Sequence, residues 1–517
     1  MTDLFPTQTA KPLWEHQRRA IQEVRDTVKR GVKRVLLQSP VGSGKTRLAA
    51  EIGNMALRKG NGFIFTVPAI SLIDQTVEAF RAEGITDIGV IQSDHPLTNF
   101  EAKVQIASVQ TLMGRQIPKT RLVMIDEAHR MFEFITKWMS DEAWADTTFI
   151  GLSATPWARG LGRLYDELII GSTTKELIEK GILCPFRVFA PAHPDLSGVK
   201  TVAGDYHQEQ LSEAMQRGAL VADTVTKWLE LGEQRPTFCF AVDRNHAATL
   251  QDQFRRAGVS CAYMDANTPL KDREGIRRRF ESGEIKVVCN VGVLTTGIDW
   301  DVRCIILARP TKSEMLYVQM MGRGLRSHEG KADLIIIDHS DTTLRLGFVT
   351  DIHRPKLDDG KMTPQERKEE KEDREAEKPL PKECPSCHAL RSPRIRECPQ
   401  CGFAPHGRSD VETVEGDLVQ LTARKVAKLN QDSPKPQKAA FFAELQGHAV
   451  ERGFKPGWAA MKYKERFGVW PNDREIRNVP PKPPSNATRQ WIKSRQIAWA
   501  FSKNREARDQ AGEEQFG

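Results

Sequence analysis

The chain of 517 residues is 39% hydrophobic and 28% charged, a globular balance at a length that suits three or four domains of roughly 150 residues each. No stretch approaches the ~18 apolar residues of a membrane span, and the opening MTDLFPTQTAK lacks a signal-type apolar core, so neither a transmembrane nor a secreted protein is expected. Nine cysteines, an odd number in so long a chain, argue against a disulfide framework and for the reducing cytoplasm. The net charge is +8, and from Cys384 onward there are 23 basic and 15 acidic residues. The excess basicity therefore sits in the last quarter of the chain, the pattern of a neutral engine with a polyanion-seeking appendage.

Residues 1–170 read as a doubly wound α/β unit. Apolar runs at Val35–Gln38, Phe63–Val67, Val104–Ser108, Leu122–Ile125 and Phe149–Leu152 have the composition of buried parallel strands, with helical patterns such as Thr46–Leu57 and Ser71–Phe80 between them. The first strand runs into VLLQSPVGSGKTRLAA, a strand, a Gly-rich turn and Lys-Thr opening a helix. Gly42, Ser43 and Gly44 would bring backbone N–H groups onto phosphate oxygens. Lys45 would reach the β- and γ-phosphates, and Thr46 would ligate Mg²⁺. Ser39 stands where this loop usually has Gly or Ala.

Eighty-one residues on, LVMIDEAH places Asp126 and Glu127 at the C-terminal end of an apolar strand, the edge where open α/β sheets bind ligands. Asp126 would hold Mg²⁺, and Glu127 would orient and deprotonate an attacking water. ATP with Mg²⁺ is the expected ligand pair.

A second α/β series spans 171–350, with strand-like runs at Thr237–Ala241, Lys286–Cys289, Cys304–Leu307 and Leu334–Ile337. Residues 351–383 follow as a charged linker. Its run QERKEEKEDREAEK (Gln365–Lys378) has the composition of a solvated linker or short exposed helix. At 384–410, CPSCHALRSPRIRECPQC presents two paired-cysteine knuckles. Cys384, Cys387, Cys398 and Cys401 would hold one structural Zn²⁺ tetrahedrally. His388 and His406 lie nearby, but four thiolates complete the shell. Arg391, Arg394 and Arg396 would either offset the centre's negative charge or touch phosphate. Cys184, Cys239, Cys261, Cys289 and Cys304 fall in or beside apolar runs and read as inert core. Because the linker separates ribbon and engine, the engine is expected to survive loss of the metal.

Residues 411–517 form a basic, tryptophan-containing region with one helical block, Lys438–Phe467, then a Pro-rich hinge and a basic segment at Arg489–Arg508. Trp458, Trp470, Trp491 and Trp499 are here. Basic residues interleaved with aromatics suit single strands. Helical spacing favours Trp458 as core. Trp491 and Trp499 suit base stacking and a small helical core equally, and the hinge would also let the segment dock a replication or repair protein.

With the phosphate loop and DEAH in place, residues 10–345 resemble the superfamily 2 helicases and translocases. The resemblance implies two tandem RecA-like domains hydrolysing ATP in their cleft. It places Gln17 of LWEHQRRAI at adenine, and makes His129 of the DEAH, with Ser153 and Thr155 of SAT, couple hydrolysis to domain closure. TVPAISLIDQ (66–75) and ASVQTL (107–112) match segments that touch the nucleic-acid backbone. VGVLTTGID (291–299) and QMMGRGLR (319–326) match the fifth and sixth motifs. By this analogy Gly297 lines the γ-phosphate, Asp299 meets the ribose, Thr295 or Thr296 faces the strand, and Gln319 joins the coupling set. Arg323 and Arg326, three apart on one helix face, fit arginine fingers that meet charge developing on the γ-phosphate. Within the superfamily, SATPWARGLG, DANTP and LARPTKSEMLYVQMMGRGLR are similar to the RadD-like bacterial and phage DNA-repair helicases. Nucleic acid is thus the expected partner, DNA before RNA. The alternatives are an ATP-switched remodeller or adaptor that does not unwind, and an RNA helicase.

Overall fold

The computed structural model describes residues 12–496 apart from 93, 203, 217, 296–298, 364, 367–368, 371–379, 405–433 and 456, with the backbone alone at 218–219. Each apolar run of the first series becomes a strand: β1 (Arg34–Gln38), β2 (Phe63–Val67), β4 (Val104–Ser108), β5 (Leu122–Asp126) and β6 (Thr148–Ser153). Two short strands, β3 (Ile88–Val90) and β7 (Glu167–Ile170), close the edges. All seven pair in parallel in the order β3-β4-β2-β5-β6-β1-β7. The central strands are buried along their length, which is why they read as continuous apolar runs rather than as alternation.

The second sheet repeats the plan. It uses β8 (Phe186–Phe189), β11 (Thr237–Phe240), β12 (Cys261–Met264), β13 (Val287–Asn290), β14 (Cys304–Leu307) and β15 (Leu334–Asp338). These six are parallel in the order β12-β13-β11-β14-β15-β8, and a separate hairpin of β9 (Thr201–Val202) and β10 (Asp205–Tyr206) precedes β11. Parallel strands all end at one edge, so the turns after β1, β5 and β6 open on the same side of the first sheet.

The structure corrects the expected separation of ribbon and engine. β16 (Lys382–Glu383) and β17 (Leu390–Arg391) form the ribbon's antiparallel pair. Ala389 forms an antiparallel bridge to Phe189 of β8, and the Ala190 N–H donates to the His388 carbonyl at 2.9 Å. Cys384, Ala389 and Cys398 share an apolar cluster with Phe189, Val225, Trp228 and Ile335. A chain of side chains adds to this seam: His193 Nδ1 to Asp341 at 2.7 Å, His193 Nε2 to Glu383 at 3.0 Å, and Glu383 to His388 Nδ1 at 2.6 Å. The Asp341 hydrogen bond holds the His193 imidazolium above its ordinary range. The ribbon, a separate two-stranded sheet, therefore docks against the β8 edge of the second sheet.

The start of the 351–383 linker packs on the first domain. The Gly162 N–H donates to the Asp358 carbonyl at 2.8 Å, Arg163 Nε donates to the Asp359 carbonyl at 2.6 Å, and Leu357 packs on the first domain's core. Of the charge run, Gln365, Glu366, Glu369 and Glu370 are described, and they are helical and exposed.

The C-terminal unit, Gly407–Gly517, has its own core. The single helical block expected there is two helices, Lys435–Arg452 and Trp458–Phe467, because Gly453 adopts a left-handed C-cap at φ 65°. Phe441, Phe442, Leu445, Tyr463, Phe467 and Ile492 pack between these helices and helical residues 486–496. Among the described residues, no helix is long and apolar enough to cross a membrane.

Candidate active site

β1 delivers the chain into a loop that turns on two left-handed glycines, Gly42 (φ 84°) and Gly44 (φ 79°). A Cβ on Gly44 would lie 2.5 Å from Gln17 Nε2, so only glycine lets the loop close on that side chain. Gln17 is fully buried beneath the loop. It accepts from the Trp14 N–H at 3.0 Å and donates to the Ser43 carbonyl at 3.1 Å. Its carboxamide thus braces the loop, while the neighbouring Trp14 and Glu15 line the cleft. The departure at Ser39 has a similar use. Its buried hydroxyl lies 2.6 Å from Ser43 Oγ, which itself donates to the Pro40 carbonyl at 2.6 Å. Lys45 Nζ lies 3.4 Å from the Ser39 carbonyl. Burial lowers the Lys45 ammonium's pKa, and the charges of Glu127 and Asp126 oppose that shift.

At the end of β5, burial and then the adjacent Glu127 push the Asp126 carboxyl up to about 7. Two crowded carboxylates short of cationic charge are the chemistry a divalent cation would satisfy, and the exposed Thr46 stands on the same cleft wall. Glu127 has a left-handed backbone (φ 48°), and its N–H donates to Asp126 Oδ1 at 2.9 Å. A non-glycine residue held there is strained, a cost that concentrates at functional sites.

Beyond Glu127 lies a polar chain that crosses between the two sheets' domains. His129 Nδ1 is 2.9 Å from Ser153 Oγ and 3.3 Å from Glu127 Oε2. Gln319, on the helix Glu314–Gly324 of the second domain, places Nε2 3.1 Å from His129 Nε2 and 3.5 Å from Thr155 Oγ1. The Thr155 N–H in turn donates to Ser153 Oγ at 3.1 Å. Burial lowers the His129 pKa and keeps the ring neutral. With Nε2 accepting from Gln319, the ring proton resides on Nδ1. His129, Ser153, Thr155 and Gln319 are thus one hydrogen-bonded set.

Gly322 and, again, Gly42 permit close approach of the domains. A Cβ on Gly322 would lie 2.5 Å from Val41 Cβ, and one on Gly42 would lie 2.7 Å from Leu183 Cδ2. The cleft left between them has a volume of about 1020 Å³. Gly44, Lys45, Thr46, Asp126 and Glu127 line it from one side, and Asp299, Arg323 and Arg326 from the other. Arg323 is buried, which with repulsion from Arg326 lowers its pKa to about 9 and leaves it cationic at neutral pH. Arg323 and Arg326 do not share a helix face as expected, because the helix ends at Gly324 and Arg326 forms a β-bridge with Leu183. Arg326 Nη1 donates to Asp299 Oδ1 at 2.7 Å, a pairing that motif spacing does not reveal. Thr295 is turned inward, its hydroxyl donating to the Gly292 carbonyl at 3.3 Å. Thr296 and Gly297 lie outside the described residues.

In the ribbon, the Sγ atoms of Cys384, Cys387, Cys398 and Cys401 all lie within 4.8 Å of one another. The Cys384–Cys401 and Cys387–Cys398 pairs are each 3.7 Å apart. Four thiolates bonded at ~2.3 Å around a tetrahedral ion stand roughly 3.8 Å apart, so the geometry fits a metal and is too long for disulfides. Arg391 is buried and donates to the Ile395 carbonyl within the ribbon. His406 lies outside the described residues. The five remaining cysteines are buried.

The family described as "Type III restriction enzyme, res subunit" matches residues 10–158, and "Helicase conserved C-terminal domain" matches residues 221–328. These matches fall in order on the two sheets that enclose the cleft. The chain thus carries helicase domains of the superfamily 2 kind. A "51.5 kDa protein" of Lactococcus phage (isolate 7-9) is 28% identical over 76% of this chain and 83% of its own length. IRC3 of Saccharomyces cerevisiae, which carries the name of an ATP-dependent helicase, is 28% identical over 64% of this chain and 52% of its own. The chain thus spans about half the length of that yeast relative. The DNA-bound Type ISP restriction-modification enzyme LlaBIII overlays 64% of this chain and 28% of its own at 18% identity, with a TM-score of 0.48.

The helicase therefore carries an ATP-hydrolysing core split between two parallel-sheet domains of the RecA-like kind. Its polar chain gives a first expected result. Gln319→Ala should leave ATP affinity near wild type and lower nucleic-acid-stimulated turnover roughly 10-fold, since Gln319 contacts both His129 and Thr155 across the domain seam. A double-mutant cycle with His129→Ala should show strong non-additivity. Additive losses would mean that the two residues act separately.

Proposed function

We propose that this helicase is an ATP-driven motor on DNA whose cleft closes on each nucleotide and reopens after hydrolysis. The observation that carries the reading is one cleft, lined by a phosphate loop and paired carboxylates from one domain and two arginines from the other. In this reading the N–H groups around Gly42 and Gly44 cradle the phosphates, and the helix beginning at Lys45 points its positive end at them. Lys45 holds the β- and γ-oxygens. Thr46 and Asp126 would hold Mg²⁺, which supplies positive charge to the phosphates. Glu127 orients a water and takes its proton as the new bond to phosphorus forms. Arg323 and Arg326 approach as the cleft closes and balance charge moving onto the departing diphosphate. His129, Ser153, Thr155 and Gln319 transmit closure to the rest of both domains. The ribbon's four thiolates favour Zn²⁺, a structural ion with no open coordination position.

DNA as the track is supported by the phage T4 protein named "ATP-dependent DNA helicase uvsW", 22% identical over 60% of this chain and 66% of its own length. Steady-state ATPase with single-stranded DNA, single-stranded RNA and no nucleic acid tests the choice. Stimulation by DNA well above that by RNA is expected. Preferential stimulation by RNA would replace DNA with RNA in this reading.

A further inference from the structure

The tryptophans of the C-terminal unit sort into two groups. Trp491 meets the Phe441 ring edge-on at 5.3 Å and packs against the helical core, so it is not a free stacking platform. Trp458 stacks on Phe454 at 4.7 Å and 22°. Trp499 lies outside the described residues. Trp470 differs. Gly468, at φ 73°, ends the helix Trp458–Phe467 in a left-handed cap, and Trp470 follows it 47% exposed.

Trp470 borders a groove of about 740 Å³ shared with Trp458, Met461, Lys464 and Arg495. Met461 is 64% exposed on the groove wall, and Lys464 Nζ stands 4.5 Å from the centre of the Trp470 ring. Glu465, the one carboxylate among the described lining residues, is paired with Lys462 at 2.5 Å. The groove thus keeps positive charge, from Lys464 and Arg495, beside exposed indole and thioether. A neutral peptide would make no use of those cations, and an inorganic anion would make no use of the aromatic wall. A nucleotide uses both: its base stacks on a ring while its phosphate meets an amine or guanidinium.

We propose that this groove is an accessory site for single-stranded nucleic acid, with Trp470 as the stacking platform and Lys464 and Arg495 as phosphate contacts. The proposal rests on the nucleic-acid reading of the helicase core and extends it to a second point of contact.

The test uses the full chain and a fluorescently labelled oligothymidine, titrated across a salt series. Trp470→Ala should weaken binding roughly 5- to 150-fold, the range for one lost base stack, with the salt dependence unchanged. Trp470→Phe should recover part of the affinity. Lys464→Gln with Arg495→Gln should instead lower the log–log salt slope by about 1.4, at roughly 0.7 per phosphate contact. ATP turnover at saturating oligonucleotide should match wild type in all three proteins, and thermal melts should show them folded. Unchanged affinity and slope in the alanine and glutamine variants would overturn the proposal, leaving the groove as a docking surface for protein. Failure of the core reading looks different: no nucleic acid would then stimulate wild-type ATPase, whatever Trp470→Ala does to binding.

Discussion

Arg326→Ala should lower the ATP turnover rate by on the order of 10³ or more while changing ATP affinity little. The reason is when its charge matters. Arg326 lies in the cleft paired with Asp299 at 2.7 Å, so part of its charge is already satisfied in the resting site. As negative charge shifts towards the leaving diphosphate, the guanidinium gains a stronger partner, and that gain appears in kcat rather than in ground-state binding. Arg326→Lys should not restore the rate, because an ammonium lacks the planar fork that can bridge two oxygens. A large rise in the ATP Kd with unchanged kcat would place Arg326 in ground-state binding. Arg323→Ala should also lose turnover, with an added loss of stability, because Arg323 is buried.

On the proposed zinc reading of the ribbon, Cys398→Ser should release the ion and destabilise the second domain with it. This outcome reverses what the linker composition suggests, and the cause is the shared seam. Cys398 and Cys384 are buried in the cluster that contains Phe189, Val225 and Trp228, and Ala389 bridges to β8. If the ribbon loosens, those side chains meet water at a cost of about 1.5–3 kcal/mol for each one fully exposed. The ordering free energy that a bound ion would supply to the ribbon would be lost as well. We expect the melting temperature of the whole protein to fall and ATPase to fall with the folded fraction. Metal analysis, thermal melts and ATPase on the same preparation check this. Metal-free protein with unaltered melting and turnover would show that the ribbon is an independent attachment.

Much of the fold was legible because the central strands of both sheets are buried on both faces. Phe63–Val67, Val104–Ser108 and Cys304–Leu307 are visible as apolar runs and are strands at those same bounds. The edges were not legible. β3 has three residues and β7 has four, with Glu167 at its start, so neither carries a long apolar signature. The break at Gly453 was hidden because the apolar spacing on either side of it continues.

The site divides in the same way. Lys45, Asp126, Glu127, Arg323 and Arg326 were nameable from motif spacing, and the structure places all five around one cleft. The Arg326–Asp299 pair and the burial of Gln17 beneath the loop are tertiary facts. No local pattern encodes them. The ribbon's docking was invisible for a related reason. It depends on the sheet edge offered by β8, some two hundred residues upstream, while composition reports only that the intervening run is charged.

Strand displacement tests the central claim most directly, namely that hydrolysis in this cleft moves the protein along DNA. Wild type and Glu127→Gln should be compared on a duplex with a single-stranded tail, with ATP and with a non-hydrolysable analogue. Wild type should separate the strands only with ATP. Glu127→Gln should bind both ATP and the DNA and separate nothing, since water activation alone is removed. DNA-stimulated hydrolysis by wild type without any displacement would contradict the motor and leave a nucleotide-switched clamp in its place.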